Sequence, residues 1–190
     1  MNVVRKLMSA DEFLEWRQDQ PGRWELVSGT PVQMMAGAKQ RHDRIVVNLI
    51  ASLAGKLKGG PCRPWTADIA AKIPNGNVRQ PDVTIDCGQV RDDALDSTAP
   101  TVVFEVLSPS TCTFDQVRKV DEYKRIESLR HIVLIDPQSP RIVLWSRADE
   151  GAAWSDVELS DLSGELDLAA AKVRLSAAEI YDGLTFGDPA

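Results

Sequence analysis

The stretch Thr101-Val-Val-Phe-Glu-Val-Leu107 decides how this chain is read. Six of its seven residues suit a buried strand, and Glu105 is the exception. An unpaired ionised carboxylate among Val102, Val103, Phe104, Val106 and Leu107 is costly, and it demands a partner or a proton. Alternation along a strand places Thr101, Val103, Glu105 and Leu107 on one face. Upstream, Asp82-Val-Thr-Ile-Asp86 reads as a second strand, with Asp82, Thr84 and Asp86 on one face. If the two strands pair antiparallel through the polar, turn-rich segment 88–100, Asp82 lies beside Glu105. Two carboxylates that close repel, and either one takes up a proton or a cation sits between them. Oxygen donors of this kind suit Mg²⁺ or Mn²⁺.

After the connector Ser108-Pro-Ser-Thr-Cys-Thr-Phe-Asp115, a helix is expected from about Asp115 to Glu127. On a helical wheel Val117, Val120, Tyr123 and Ile126 form one face, with Arg118, Asp121, Glu122 and Arg125 opposite. Lys119 falls at the edge of the apolar face, aimed inward, and Lys124 is the competing inward lysine. A lysine that reaches a two-carboxylate site can orient water and stabilise negative charge developing on a phosphate.

Outward from this centre, Ser9-Ala-Asp-Glu12 is a capping box for a short helix. Trp24-Glu-Leu-Val27 and Thr30-Pro-Val-Gln-Met-Met35 flank a tight Ser28-Gly29 turn. From Lys39 to Lys58, Ile45, Val46, Leu49, Ile50, Leu53 and Leu57 recur at helical spacing, and Gly59-Gly60-Pro61 ends that helix. Residues 65–73 and Asp82–Asp86 read as strands around the turn signal Pro74-Asn75-Gly76. His131-Ile-Val-Leu-Ile135 is another buried strand, and Arg141–Arg147 is its hairpin partner. A second capping box, Ser176-Ala-Ala-Glu179, starts a final short helix. Helices and strands in this order predict an α/β (α+β) fold with a mixed sheet.

The chain has 190 residues, enough for one domain with a substantial core, and we expect residues 1–190 to form one. Apolar content of 43% and charged content of 26% are ordinary for a soluble protein. No apolar run approaches the ~20 residues needed to span a bilayer, and no signal peptide is evident, so a cytoplasmic protein is expected. Three cysteines without C-x-x-C spacing suggest neither a disulfide framework nor a zinc site. A net charge of −6 argues against a protein that merely coats nucleic acid. It is compatible with an enzyme that meets phosphates through bound cations.

The residues Gln80-Pro81-Asp82, Phe104-Glu105-Val106-Leu107-Ser108-Pro109-Ser110-Thr111 and Asp115-x-x-x-Lys119-x-x-x-Tyr123 together resemble the Uma-type restriction endonuclease family of the PD-(D/E)XK nuclease superfamily. Trp24–Gly29 and His131–Pro137 extend the resemblance to about residues 8–185. The resemblance implies a restriction endonuclease-like fold, a mixed central β-sheet flanked by helices. It also implies metal ligation by Asp82 and Glu105, with the Val106 carbonyl as a further ligand and Glu25 or a neighbour as a supporting acid. The superfamily's lysine two residues after the glutamate is absent, because position 107 is Leu, and the resemblance transfers that role to Lys119. DNA is then the substrate, and a homodimer is the simplest way to cut both strands.

Ordinary roles compete with these. Lys119 can pair with Asp115 at i, i+4, and Asp115 itself reads as an N-cap. Glu25 can pair with Arg23 or Arg41. His42 can simply open its helix, or join Tyr123 in supporting the site. Asp68 reads either as an acid behind the site or as an edge residue, and Trp65, Trp145 and Trp154 as core or sheet-face residues. A second function of another class is a nuclease fold used as a binding module with little or no catalysis. A hydrolase of RNA or of a small phosphodiester is a third.

Overall fold

The computed structural model describes residues 7–34, 39–108 and 113–187, with backbone only for 113–115. Helix α1 (Ala10–Arg17) opens with the expected capping box: Ser9 Oγ accepts the Glu12 N–H at 3.2 Å, and the Glu12 carboxylate accepts the Ser9 N–H at 2.9 Å. Strands β1 (Trp24–Val27) and β2 (Thr30–Gln33) turn at Ser28-Gly29. Both turn residues have positive φ, 51° and 74°, the mirror-image geometry whose twist matches a hairpin. Helix α2 (Gln40–Lys56) buries Ile45, Leu49 and Leu53, spaced four apart as its sequence pattern predicts.

The segment 65–73 does not form one strand. It splits into β3 (Arg63–Thr66) and β4 (Ala71–Lys72), which belong to different sheets. A turn breaks it, closed by the Ile69 N–H donating to the Thr66 carbonyl at 3.1 Å. Asp68 lies in this turn, and its backbone carbonyl accepts from Arg17 Nη2 at 2.6 Å. The chain continues through β5 (Val78–Arg79), β6 (Val83–Asp86), β7 (Pro100–Val106), α3 (Thr113–Tyr123), β8 (His131–Ile135), β9 (Ile142–Ser146) and β10 (Ser155–Leu159). It closes with β11 (Glu165–Leu168), a 3₁₀ turn (Ala169–Ala171), β12 (Val173–Ser176) and α4 (Ala177–Ile180).

The central sheet has six strands in the order β10-β9-β8-β7-β6-β3. Strands β7 and β8 run parallel, joined through α3, and the other ladders are antiparallel. A second sheet has the order β2-β1-β5-β4, and β11-β12 form a ribbon. The fold is therefore α/β with a mixed central sheet flanked by helices. One sheet face buries Val83, Ile85, Val102, Phe104 and Val133 against α2, the ribbon and α4. The other buries Val103 and Ile132 against Val120, Tyr123, Ile126 and Leu129, with Ala71 and Ile73 of the second sheet in the same cluster. Helix α3 is thus held between two sheets.

That placement corrects two details of the helical wheel. Val117 is 56% exposed, whereas Glu122, expected on the solvent side, is buried. Glu122 faces Arg79 of β5 rather than water, while Arg118, Asp121 and Arg125 on the same side stay exposed. The cysteines also depart from expectation, since Cys62 and Cys87 form a disulfide. Arg63 pairs with Asp86 across β3 and β6, so Cys62 and Cys87 stand opposite one another just past that pair, a proximity that sequence spacing does not reveal. Cys112 lies outside the described residues.

Candidate active site

Strands β6 and β7 pair antiparallel as expected, with Val83 opposite Phe104 and Thr84 opposite Val103. Extending this register one step brings Asp82 opposite Glu105. One further step meets Pro81, which has no N–H and ends the ladder. The Val106 N–H turns instead to the Asp82 carboxylate and donates to Oδ2 at 2.8 Å. The sequence Pro81-Asp82 therefore stops the strand and points an acid back across its end.

Asp82 has two further neighbours. His42 Nε2, at the start of α2, lies 3.3 Å from Oδ2, and Arg23 Nη1 lies 3.6 Å from Oδ1. Burial raises the Asp82 pKa, but the His42 hydrogen bond and charge, the Val106 N–H and Arg23 together hold it below its ordinary value. The same contact raises His42 above the usual imidazole range, through its hydrogen bond to Asp82. His42 Nδ1 is buried without a hydrogen-bond partner among the described residues.

Glu105 has a different environment. Tyr123 Oη donates to Oε1 at 2.5 Å, and Lys119 Nζ stands 3.7 Å from the same oxygen. Both contacts fall on Oε1, and Oε2 takes part in neither. Burial pushes the Glu105 carboxyl up to about 7, aided by Asp82 and Glu25 and opposed by Lys119 and Tyr123. Burial also holds the Tyr123 hydroxyl well above its usual range, so it remains a donor. Burial disfavours the Lys119 ammonium, but Glu105 and Glu25 outweigh that and raise its pKa. Lys119 is thus a buried ammonium whose charged form is favoured by two neighbouring acids. Lys124, the competing lysine, instead places Nζ 3.4 Å from the centroid of the Trp145 ring.

The structure brings together all six residues singled out from sequence. Asp82, Glu105, Lys119 and Tyr123 meet at the β6–β7 end, with His42 against Asp82 from α2. Glu25 arrives from β1, where Oε1 lies 3.1 Å from Lys119 Nζ and accepts the Gln80 N–H at 3.3 Å. Its partners are therefore Lys119 and Arg79 rather than Arg23 or Arg41. Sequence reasoning missed Arg79, Glu122 and Asn77. Arg79 donates through Nη1 to Glu25 Oε2 and through Nε to Glu122 Oε2, both at 2.6 Å. Asn77 Nδ2 donates to Glu122 Oε1 at 2.8 Å. The available signal was Arg79 itself, an arginine beside Val78 three residues before Asp82.

Among the described residues, no group of three or more His, Cys, Asp or Glu is arranged as a cation cage. Two carboxylates alone fit neither a structural zinc site nor a calcium cage. They fit a Mg²⁺-like ion, which keeps several waters and is completed by substrate phosphate. A buried Glu105 short of compensating charge is consistent with such an ion.

The mixed central sheet flanked by helices is a restriction endonuclease-like fold. The profile of the Uma2 family, described as a putative restriction endonuclease, matches residues 10–178, and the chain belongs to that family. It is 30% identical over 181 residues to an uncharacterized protein of Synechocystis sp., covering 94% of each chain. A second uncharacterized protein of that organism is 24% identical over 175 residues, covering 90% of this chain and 98% of the other. The fold also matches a crystal structure of a putative nuclease belonging to DUF820 from Anabaena variabilis. The TM-score is 0.71 at 16% identity, over 92% of this chain and 97% of that one. Among the described residues no helix is long and apolar enough to cross a membrane.

Proposed function

We propose that this chain is a divalent-metal-dependent endonuclease that hydrolyses phosphodiester bonds in DNA. The observation that carries this reading is the meeting of Asp82 and Glu105 at one strand end, with the Lys119 ammonium 3.7 Å from Glu105. Family membership supports nuclease chemistry and DNA as the polymer.

Asp82 and Glu105 would hold Mg²⁺ or Mn²⁺, with the Val106 carbonyl beside them. Such an ion supplies Lewis acidity, neutralising the scissile phosphate and lowering the pKa of water. The chain's own groups do the rest. The Val106 N–H and His42 fix Asp82 through Oδ2, while Tyr123 fixes Glu105 through Oε1. Lys119 carries positive charge to where a water attacks or a phosphoryl oxygen gains charge. Arg23, with its side chain 45% exposed, has spare donors at the rim for a backbone phosphate. Two copies of the chain would present one site to each strand of a duplex.

Titration calorimetry with Mn²⁺ tests this without a choice of substrate. Wild type is expected to bind in the presence of a short oligonucleotide. Asp82→Ala and Glu105→Gln, folded by circular dichroism, are expected to lose that binding and all DNA cleavage. Full cleavage by Asp82→Ala would refute the mechanism. Absence of Mn²⁺ binding in wild type would favour a nuclease fold used as a binding module.

A further inference from the structure

Arg79 is among the largest fully buried side chains of the molecule, at 2% exposure, and none of the roles above uses it. Its guanidinium bridges two carboxylates from different elements, Glu25 of β1 and Glu122 of α3. Each of those acids stands next to the site. Glu25 holds Lys119 through its other oxygen. Glu122 follows Lys119 by three residues, so it sits one turn further along the same helix, and it precedes Tyr123, which holds Glu105.

We infer that Arg79 is a positioning residue: by fixing the Glu25 carboxylate and the α3 helix together, it sets where the Lys119 ammonium stands relative to Glu105. This rests on the endonuclease reading for its catalytic meaning, though not for its geometry. Lys119 stands between two acids, 3.1 Å from Glu25 and 3.7 Å from Glu105. Glu25 is the nearer, and without a second cation it would draw the ammonium toward itself. Arg79, at 2.6 Å on the far oxygen, shares the Glu25 charge and leaves Lys119 available to Glu105. It also fixes which oxygen faces the lysine, since Oε2 is taken.

Cost points the same way. Buried ion pairs lose much of their Coulombic gain to desolvation, and apolar replacements of similar volume are often as stable. Here Arg79, Glu25 and Glu122 are all buried, and one guanidinium nitrogen, Nη2, has no hydrogen-bond partner among the described residues. Stability alone would be served as well by an apolar contact. A planar fork that orients two carboxylates at once serves geometry, and lysine cannot reproduce it.

The test reads the Lys119 ammonium directly by heteronuclear NMR of lysine Nζ groups, with the signal assigned through Lys119→Arg. In wild type it is expected to be distinct and protected from exchange with water. Arg79→Ala takes the shared cation from two buried acids and opens a cavity between them, so two gentler variants are used. The double variant Arg79→Met/Glu122→Met replaces the ion pair with apolar side chains, and Arg79→Lys keeps a cation without the fork. In whichever of them is folded, the Lys119 Nζ resonance is expected to move from its wild-type position as the ammonium shifts from Glu105 toward Glu25. Where wild type cleaves DNA, kcat is expected to fall on the order of 10²-fold with KM unchanged. An unchanged Lys119 signal in a folded variant would overturn the inference, as would a wild-type Lys119 that exchanges like an exposed lysine. A wild type that cleaves nothing would count against the endonuclease reading and leave the NMR result to stand by itself.

Discussion

Glu105 occupies a strand position that its neighbours would give to valine, and the structure accounts for it with one hydroxyl and one ammonium. That solution is incomplete, because burial still pushes the carboxyl up to about 7. A carboxyl held this way weakens the fold wherever the pH ionises it. In metal-free protein at pH 8, Glu105→Gln is therefore expected to melt higher than wild type, by on the order of 1 kcal/mol in stability, because the amide needs no buried charge and its oxygen still accepts from Tyr123. The same variant should bind no Mn²⁺. A lower melting temperature would mean that the Lys119 contact is worth more than the buried charge costs. At this scale much of the site was legible. Asp82 and Glu105 could be found because strand alternation gives each acid a face and the two strands were expected to pair antiparallel, although Asp82 could also have been a turn residue after Pro81. Arg79 and Glu122 could not, because an arginine in a two-residue strand and a glutamate on a helix flank look solvated until the second sheet is placed over them.

Helix α3 shows where periodicity works and where it stops. It correctly marks Val120, Tyr123 and Ile126 as buried and Lys119 as turned inward. It errs at Val117, which is exposed, and at Glu122, which is buried because the second sheet covers that flank while Arg118, Asp121 and Arg125 stay exposed as the wheel expects. The difference is measurable by chemical denaturation. Val120→Ala removes packed methyl groups and should cost about 1–3 kcal/mol. Val117→Ser, at an exposed position, should stay within about 0.5 kcal/mol of wild type. The capping boxes of α1 and α4 were legible because a cap depends on residues three apart, and α2 because its stripe is long. The division of 65–73 between two sheets was hidden, since either strand reads the same whichever sheet it joins. The Cys62–Cys87 bond was hidden for a related reason: its partners meet only once β3 has paired with β6.

At the scale of the whole molecule, the central sheet is tied to the β11–β12 ribbon through a histidine that takes no part in the site. His131 begins β8, the strand parallel to the one bearing Glu105. Its Nδ1 lies 2.9 Å from Ser146 Oγ on β9, and Nε2 faces the Ala170 N–H at 3.5 Å in the turn leading to β12. An imidazole that accepts from a backbone N–H must be neutral, and burial lowers its pKa to about 4. In the unfolded chain it titrates near 6.5. Between these values the unfolded state binds the proton more readily, so protonation favours unfolding. The stability linked to His131 is therefore complete above pH ~6.5 and is lost as pH falls toward 4, up to about 3 kcal/mol across that window. Carboxylates titrate in the lower part of the same range, so the informative quantity is the difference between wild type and His131→Gln. Calorimetry from pH 7.5 to 4.5 should show that difference shrinking steadily as the pH falls, because only wild type has the imidazole to protonate. A difference that stays constant would mean that His131 titrates in the native protein as it does in the unfolded chain, and one that grows as the pH falls would mean that it is already protonated in the native state.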